Sequence, residues 1–197
     1  MTRRHDVQKH DDLAGAIKTV LATSGALGDK DAEALDLVNT PSRVAKAYRE
    51  LLRGYATTDV DFAKEVTTFP AMDTNELVAT SGISFTSLCA HHLLPFHGTA
   101  TIGYLPGKRL VGLSKLARVL DHFAARLQVQ ERLGAQVASF LHSQCGAVYA
   151  VCILKAEHQC MTCRGVRKPG ALTHTASVRP HDVSRDLLTE FYQLVGL

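Results

Sequence analysis

Two short segments, about seventy residues apart, most constrain what this 197-residue chain can fold into. The first is Ser87-Leu88-Cys89-Ala90-His91-His92 and the second is His158-Gln159-Cys160. Together they cluster two cysteines and three histidines, the side chains of soft metal ligation. A thiolate and an imidazole three residues apart can close on one ion. A second Cys, flanked by a His, can complete three protein ligands and leave a fourth position open. Open three-ligand zinc is the catalytic arrangement, and closed four-ligand zinc the structural one. A fold that uses both segments must carry two distant stretches of chain to one place.

The texture of the sequence suggests how. Residues 1–75 read as a helical arm and residues 76–197 as the domain that carries the chemistry. Residues 1–10 are polar and expected to be disordered. Asp11 to Leu27 carries Leu13, Ile17, Val20 and Leu21 at helical spacing, with Asp11 or Asp12 as cap and Gly28 as the end. Gly28 to Asp31 reads as a loop. Thr40-Pro41-Ser42-Arg43 predicts a helix start, with Thr40 as N-cap and Pro41 in the first turn. Val44, Ala47, Tyr48 and Leu51 follow on one face, and Gly54 closes the helix. The stretch to residue 75 is expected to be irregular, anchored by Phe62, Val66 and Phe69.

From Glu76 the pattern becomes β-branched. Glu76–Thr80 and Ile83–Leu88 read as two short strands split by Ser81-Gly82, and Thr99–Leu105 as a third, ended by the turn Pro106-Gly107-Lys108. Leu110–Leu113 resumes it. Ser114 then caps a helix carrying Leu116, Val119, Leu120 and Phe123, and a second helix runs from Gln130 to Ser143 with Leu133, Val137, Phe140 and Leu141 inward. Ala147–Ala156 reads as a buried strand leading to His158. Leu172–Val178 is a final strand, and Asp182–Val195 a closing helix. Segregated strands and helices predict an α+β fold with an antiparallel sheet.

Hydrophobic residues make up 46% of the chain, enough for a core. A formal charge of +3 is too mild to argue for a nucleic-acid partner. No stretch approaches the ~20 apolar residues of a membrane span, and the polar N-terminus has no signal-peptide core. A cytoplasmic protein with no membrane partner is expected. In a reducing compartment its five Cys are read as free or metal-bound thiols. Cys145 and Cys152 sit in apolar surroundings and read as packing. His5, His10, His142, His174 and His181 read as isolated surface or loop residues.

The candidate ligands admit three readings, one of them no metal at all. Cys89, His92 and Cys160 form an open trio. Adding Cys163 through Cys160-x-x-Cys163 makes a closed Cys₃His set. If 156–164 is extended, His158, Cys160 and Arg164 share one face and Cys163 takes the other, which favours the open trio; a turn there would void the parity. Beside the metal, the start of the helix at Ser114 offers unpaired N–H groups, with Lys115 in its first turn and Arg118 one turn on, a combination suited to phosphate. Arg43 and Arg164 are further candidates for the same anion. Gln130 and Glu131, a carboxamide beside a carboxylate, can face the donor edge of a guanine. Taken singly, these are read more simply as a basic, solvated helix start and a first-turn acid.

Taken together, several stretches in order resemble the GTP cyclohydrolase I family. They are Thr40-Pro41-Ser42-Arg43-Val44-Ala45-Lys46, Cys89-Ala90-His91-His92-Leu93-Leu94-Pro95-Phe96, Ile102-Gly103-Tyr104-Leu105-Pro106, Gly112-Leu113-Ser114-Lys115-Leu116-Ala117-Arg118, Arg126 through Leu133, and His158-Gln159-Cys160-Met161 through Arg164-Gly165-Val166. The resemblance implies the tunnelling fold, an antiparallel sheet backed by two helices. It implies a homo-oligomer, a decamer of two stacked pentamers with sites shared between subunits. It implies that GTP is converted to formate and 7,8-dihydroneopterin 3'-triphosphate, on the way to tetrahydrofolate and pterins or to deazapurines. Cys89, His92 and Cys160 would hold one zinc per subunit. His91 and His158 would move protons, and Ser114 would assist the later ribose rearrangement. Arg43, Ser114, Lys115, Arg118 and Arg164 would bind the triphosphate, and Gln130 and Glu131 would read guanine.

The chain departs from the pattern at Ala90, where the family usually has Glu, and at Cys163, where it tends to have Ala or Met. Lys168–Arg179 is shortened, and the loop before Thr40 is altered. These departures leave two alternatives beside the cyclohydrolase: a tunnelling-fold paralogue acting on another purine or pterin, and a non-catalytic zinc- or nucleotide-binding module.

Overall fold

The structure, a computed structural model, describes residues 2–28, 30–72 and 76–196, with side chains from residue 12 onward. Asp29, in the expected Gly28–Asp31 loop, and the Asp11 side chain lie outside the described residues. The chain forms two compact units, residues 1–52 and 53–197. Residues 53–75, placed with the helical arm on sequence grounds, fall in the second unit.

The first unit contains two helices, α1 (Thr2–Thr23) and α2 (Thr40–Leu51), packed on each other. The helix begins at Thr2 rather than after a disordered start, and it runs through the positions expected to cap it. In α2 the N-cap position is Asn39, with Thr40 already helical and Pro41 in the first turn, where its missing N–H costs nothing.

The second unit opens with a 3₁₀ turn at Arg53–Tyr55. Gly54 does not close α2; it is buried in this turn, and its N–H donates to Ala125 O at 2.9 Å. A Cβ at Gly54 would lie 2.4 Å from His122 O, so only glycine permits this approach. The stretch expected to be irregular holds α3 (Asp59–Glu65), capped by Thr58, whose Oγ1 accepts from Asp61 N–H. It also holds β1 (Thr68–Pro70), paired antiparallel with β4 (Arg109–Val111). Phe62 and Val66 are buried as expected, while Phe69 is 53% exposed and anchors nothing.

The main sheet has the order β5-β2-β3-β6-β7. β2 (Val78–Cys89), β3 (Pro95–Leu105), β6 (Tyr149–His158) and β7 (Leu172–Arg179) are antiparallel, and the two-residue β5 (Leu127–Gln128) runs parallel to β2. Ser81-Gly82 does not divide two strands. It is a bulge inside β2, where the register slips between Thr80 and Ile83 and Gly82 takes φ 72°, a conformation glycine adopts freely.

α4 (Leu113–Ala124) and α5 (Gln130–Ser143) cover one face of the sheet, α4 against β2 and α5 against β6 and β7. Ala150, Cys152, Leu154 and Ala156 face this core, together with Leu116, Leu120, Leu133 and Leu141. The intervening Tyr149, Val151 and Ile153 face the other side, where α7 (Arg185–Val195) buries Phe191. β6 is therefore covered on both faces over residues 149–154, which read as one apolar run, before Lys155 reaches solvent. The α+β class and the antiparallel sheet backed by two helices are as expected for the tunnelling fold. Among the described residues no helix is long and apolar enough to cross a membrane.

Candidate metal centre and its cavity

The sheet register carries the two distant segments together. β2 ends at Cys89 and β3 begins at Pro95, with Leu88 opposite Pro95. The connecting loop is pinned by its own backbone: Cys89 N–H donates to Leu94 O at 2.8 Å, and Leu93 N–H to Cys89 O at 2.8 Å. Leu93 takes φ 55°, so the loop turns tightly without glycine. Ala90 N–H donates to Gln128 O at 2.9 Å, which ties the loop to β5. β3 then pairs with β6 so that Phe96 lies opposite His158. Two residues beyond, Cys160 comes back to Cys89.

The ligand atoms of Cys89, His92 and Cys160 all lie within 4.8 Å of one another. Cys89 Sγ and His92 Nδ1 are 3.7 Å apart. Donors sharing one tetrahedral zinc stand about 3.5–3.8 Å from each other, given Zn–S near 2.3 Å and Zn–N near 2.0 Å. Two sulfurs and an imidazole suit zinc's borderline softness, so the donor set fits that ion. Burial and the neighbouring Cys89 sulfur hold the Cys160 thiol above its ordinary range, against the pull of Arg164.

Cys163 stays outside this cluster. The expected parity argument fails in its premise, because β6 ends at His158 and α6 (Gln159–Thr162) is a single helical turn. Cys163 follows that turn, exposed, and its Sγ donates to Gln159 O at 3.0 Å. The turn itself holds Cys163 off the cluster, pointing its thiol back at its own backbone. Among the described residues the cluster has three members, as the open reading requires.

The trio opens into a cavity of about 220 Å³ that is also lined by His91, His158, Gln130 and Glu131. Gln128, Val129, Met161 and Thr173 complete the wall; spacing gives no signal for these four, β5 bringing Gln128 and Val129, β7 bringing Thr173, and α6 carrying Met161 next to Cys160. The His91 side chain is exposed, and its ring meets that of His92 edge to face at 6.2 Å. His158 is half-buried, stacked on Phe96 at 4.6 Å with the rings 1° apart. Burial pushes the His158 pKa down, opposed by the nearby Glu131 carboxylate. Gln130 is buried, and its side-chain oxygen and nitrogen are both bonded to protein.

The remaining sequence-predicted residues do not line this cavity. Ser114 does not cap α4; Gly112 holds that position, and Ser114 is exposed in the first turn beside Lys115. Arg118, one turn on, lines a separate hollow with Arg53 and Asp121. Arg164 is exposed beyond α6. Arg43 belongs to the first unit, where its guanidinium pairs with Asp36.

Fold and site thus define an α+β protein in which an antiparallel sheet delivers a Cys-His-Cys candidate metal centre to the wall of an open cavity. The chain belongs to the GTP cyclohydrolase I family, which matches residues 13–195. It is 39% identical over 193 residues to GTP cyclohydrolase 1 of Streptococcus pneumoniae (strain ATCC BAA-255 / R6), covering 98% of this chain and all of that one. The enzyme of the same name from Streptococcus pneumoniae (strain Hungary19A-6) is 38% identical over the same span. Among solved structures, the archaeosine synthase QueF-Like in its apo form aligns with 54% of this chain and 95% of its own, at 13% identity and a TM-score of 0.43.

Proposed function

We propose that this protein is a zinc-dependent GTP cyclohydrolase I, hydrolysing GTP to 7,8-dihydroneopterin 3'-triphosphate and formate. The observation that carries the proposal is the convergence of Cys89, His92 and Cys160 on the wall of one cavity beside His158. Family membership supports it independently.

Cys89, His92 and Cys160 hold the ion. When bound, zinc supplies Lewis-acid activation of water for attack at C8 of the guanine. His158 and His91 move protons on and off the opening imidazole ring, a task suited to imidazole near neutral pH. Glu131 is exposed at the cavity, where its carboxylate can accept from the N1–H and 2-amino group of guanine. Ser114, Lys115, Arg118, Arg164 and Arg43 bind the triphosphate, and Ser114 assists the ribose rearrangement. Since Ser114, Lys115 and Arg118 lie away from their own chain's cavity, they serve the cavity of a neighbouring copy. This favours the shared-site homo-oligomer, a decamer of stacked pentamers, in which residues 76–197 carry the catalysis and the helical arm precedes them, residues 53–75 packing with the catalytic part. The protein works in the cytoplasm, on the route to tetrahydrofolate, pterins or deazapurines.

The test is turnover of GTP to a product that becomes a fluorescent pterin on oxidation. Cys89→Ser and Cys160→Ser are expected to abolish it while the assembly stays intact. Undiminished turnover in either assembled variant would sink the proposal.

A further inference from the structure

The neutral ring of His158 can carry its proton on either nitrogen, and histidine alone does not reveal which. Gln130 decides it. Gln130 is the first residue of α5 and only 1% exposed, and its amide is wedged between the sheet and His158. The amide nitrogen lies 3.2 Å from Leu154 O, 3.0 Å from Thr173 O and 3.2 Å from Thr175 Oγ1. Two of these partners are backbone carbonyls, which only accept. Turning the amide over would set its oxygen against both carbonyls in a buried site, acceptor facing acceptor. The nitrogen must therefore face the sheet and the oxygen must face His158, 2.8 Å from Nε2. An amide oxygen only accepts, so Nε2 must donate.

We propose that Gln130 is a positioning residue for His158: it fixes the ring as the Nε2–H tautomer and leaves Nδ1 as the nitrogen that takes up and returns the proton. Phe96 stacks flat on the same ring and removes its remaining freedom to tilt. Nδ1 has no hydrogen-bond partner among the described residues. Each transfer balances within the ring. Nδ1 accepts a proton to give the imidazolium, Nε2–H stays on Gln130 throughout, and Nδ1 returns the proton to the departing nitrogen. The amide nitrogen of Gln130 is then spent on the sheet and its oxygen is engaged by His158, so guanine recognition rests chiefly on Glu131.

The kinetic consequence rests on the cyclohydrolase reading; the tautomer does not, and the two are tested separately. In the assembled wild-type protein labelled with 15N-histidine, the His158 resonances, assigned by their loss in His158→Gln, are expected to show a protonated Nε2 and a bare Nδ1. A protonated Nδ1 with bare Nε2 would overturn the proposal, whatever the protein turns over. Gln130→Met, similar in length but without an acceptor, is expected to lower kcat for GTP about tenfold or more, part of the ~10²–10⁴ that a positioned acid–base group contributes. KM, and the preference for GTP over inosine triphosphate, are expected to stay unchanged. A raised KM and a lost preference at unchanged kcat would instead make Gln130 a guanine reader and overturn the proposal. Should Gln130→Met fail to assemble, Gln130→Asn keeps an amide too short to reach both β7 and His158, and the same kinetic pattern is expected. If the wild type does not turn over GTP, the functional reading fails and the resonances alone decide the tautomer.

Discussion

Cys160 and Cys163 stand one helical turn apart, yet only Cys160 joins Cys89 and His92. Spacing in the sequence could propose both as ligands, because Cys-x-x-Cys is as good a zinc motif as Cys-x-x-His. What separates them is the place where β6 stops, and a one-turn helix such as α6 leaves no periodic signal to read. Cys163→Ser is therefore expected to keep the bound-metal stoichiometry of the wild type after dialysis, and Cys160→Ser to lose it; metal analysis of the two variants checks this, and loss in both would restore the closed site. His122 is a second residue the sequence did not mark. It is buried in α4, stacked on Phe62 at 4.0 Å, and 2.9 Å from Asp59 Oδ1. Arg126 donates to the same oxygen at 2.6 Å. Burial holds the His122 pKa below its ordinary 6.5, and the Asp59 bond opposes this without reversing it. Burial alone would raise Asp59, but hydrogen bonds from His122 and Arg126 outweigh it and hold that carboxyl below 3.8. The sign is the same for both groups: a depressed folded pKa means the unfolded chain binds the proton first, so stability is full above the unfolded value and drains as pH falls toward the folded one. For His122 the loss begins as pH drops through 6.5. The urea midpoint is expected to fall between about pH 7.5 and about pH 5.5. It is expected to fall less in His122→Phe, which keeps the ring stack and cannot titrate. Equal slopes in the two proteins would exclude His122 as the source.

At the scale of elements, legibility followed length. α4, α5 and α7 repeat apolar residues over about three turns, and β6 opens with an unbroken apolar run over 149–154, so each is visible as a pattern. β1 has three residues and β5 two. Nothing that short carries a period, and such strands exist only because another strand is there to pair with. The β2 bulge was read as a break because Ser-Gly signals both turn and bulge; only the partner strand distinguishes them. The β3–β4 connection depends on a bond no pattern reveals. Tyr104 is fully buried, and its hydroxyl accepts from Val111 N–H at 2.7 Å and sits 3.2 Å from Val111 O, to which it donates. Tyr104→Phe keeps the ring and strands two buried backbone groups. It is expected to cost about 1–3 kcal/mol in urea denaturation, the usual penalty for an unpaired buried donor or acceptor. A change within ~0.5 kcal/mol, the range of a surface substitution, would mean that water or a rotated backbone replaces the hydroxyl.

For the molecule as a whole, the ordered motifs carried more than any local pattern. They marked the family, and the residues they place at one cavity include Cys89, His91, His92, Gln130, Glu131, His158 and Cys160. They could not say which of the site residues meet within a single chain. Lys115 and Arg118 occur in the same set of motifs as the metal ligands, yet α4 holds them away from that chain's own cavity. The proposed head-to-tail ring would resolve this, since each subunit could offer one surface to the neighbour on one side and a cavity to the neighbour on the other. The arrangement has a consequence that no single-chain site shares. On the proposed function, Cys89→Ser removes a metal ligand and Lys115→Ala a phosphate contact, so each homogeneous assembly is expected to be inactive or nearly so. In assemblies formed from an equal mixture of the two chains, about a quarter of interfaces pair an intact Cys89 from one chain with an intact Lys115 from the next, if subunits assort at random around the ring. Co-expressed variants are therefore expected to recover on the order of a quarter of wild-type turnover. Turnover no greater than the mean of the parents would mean that Cys89 and Lys115 act within one chain, and the shared site would have to be abandoned.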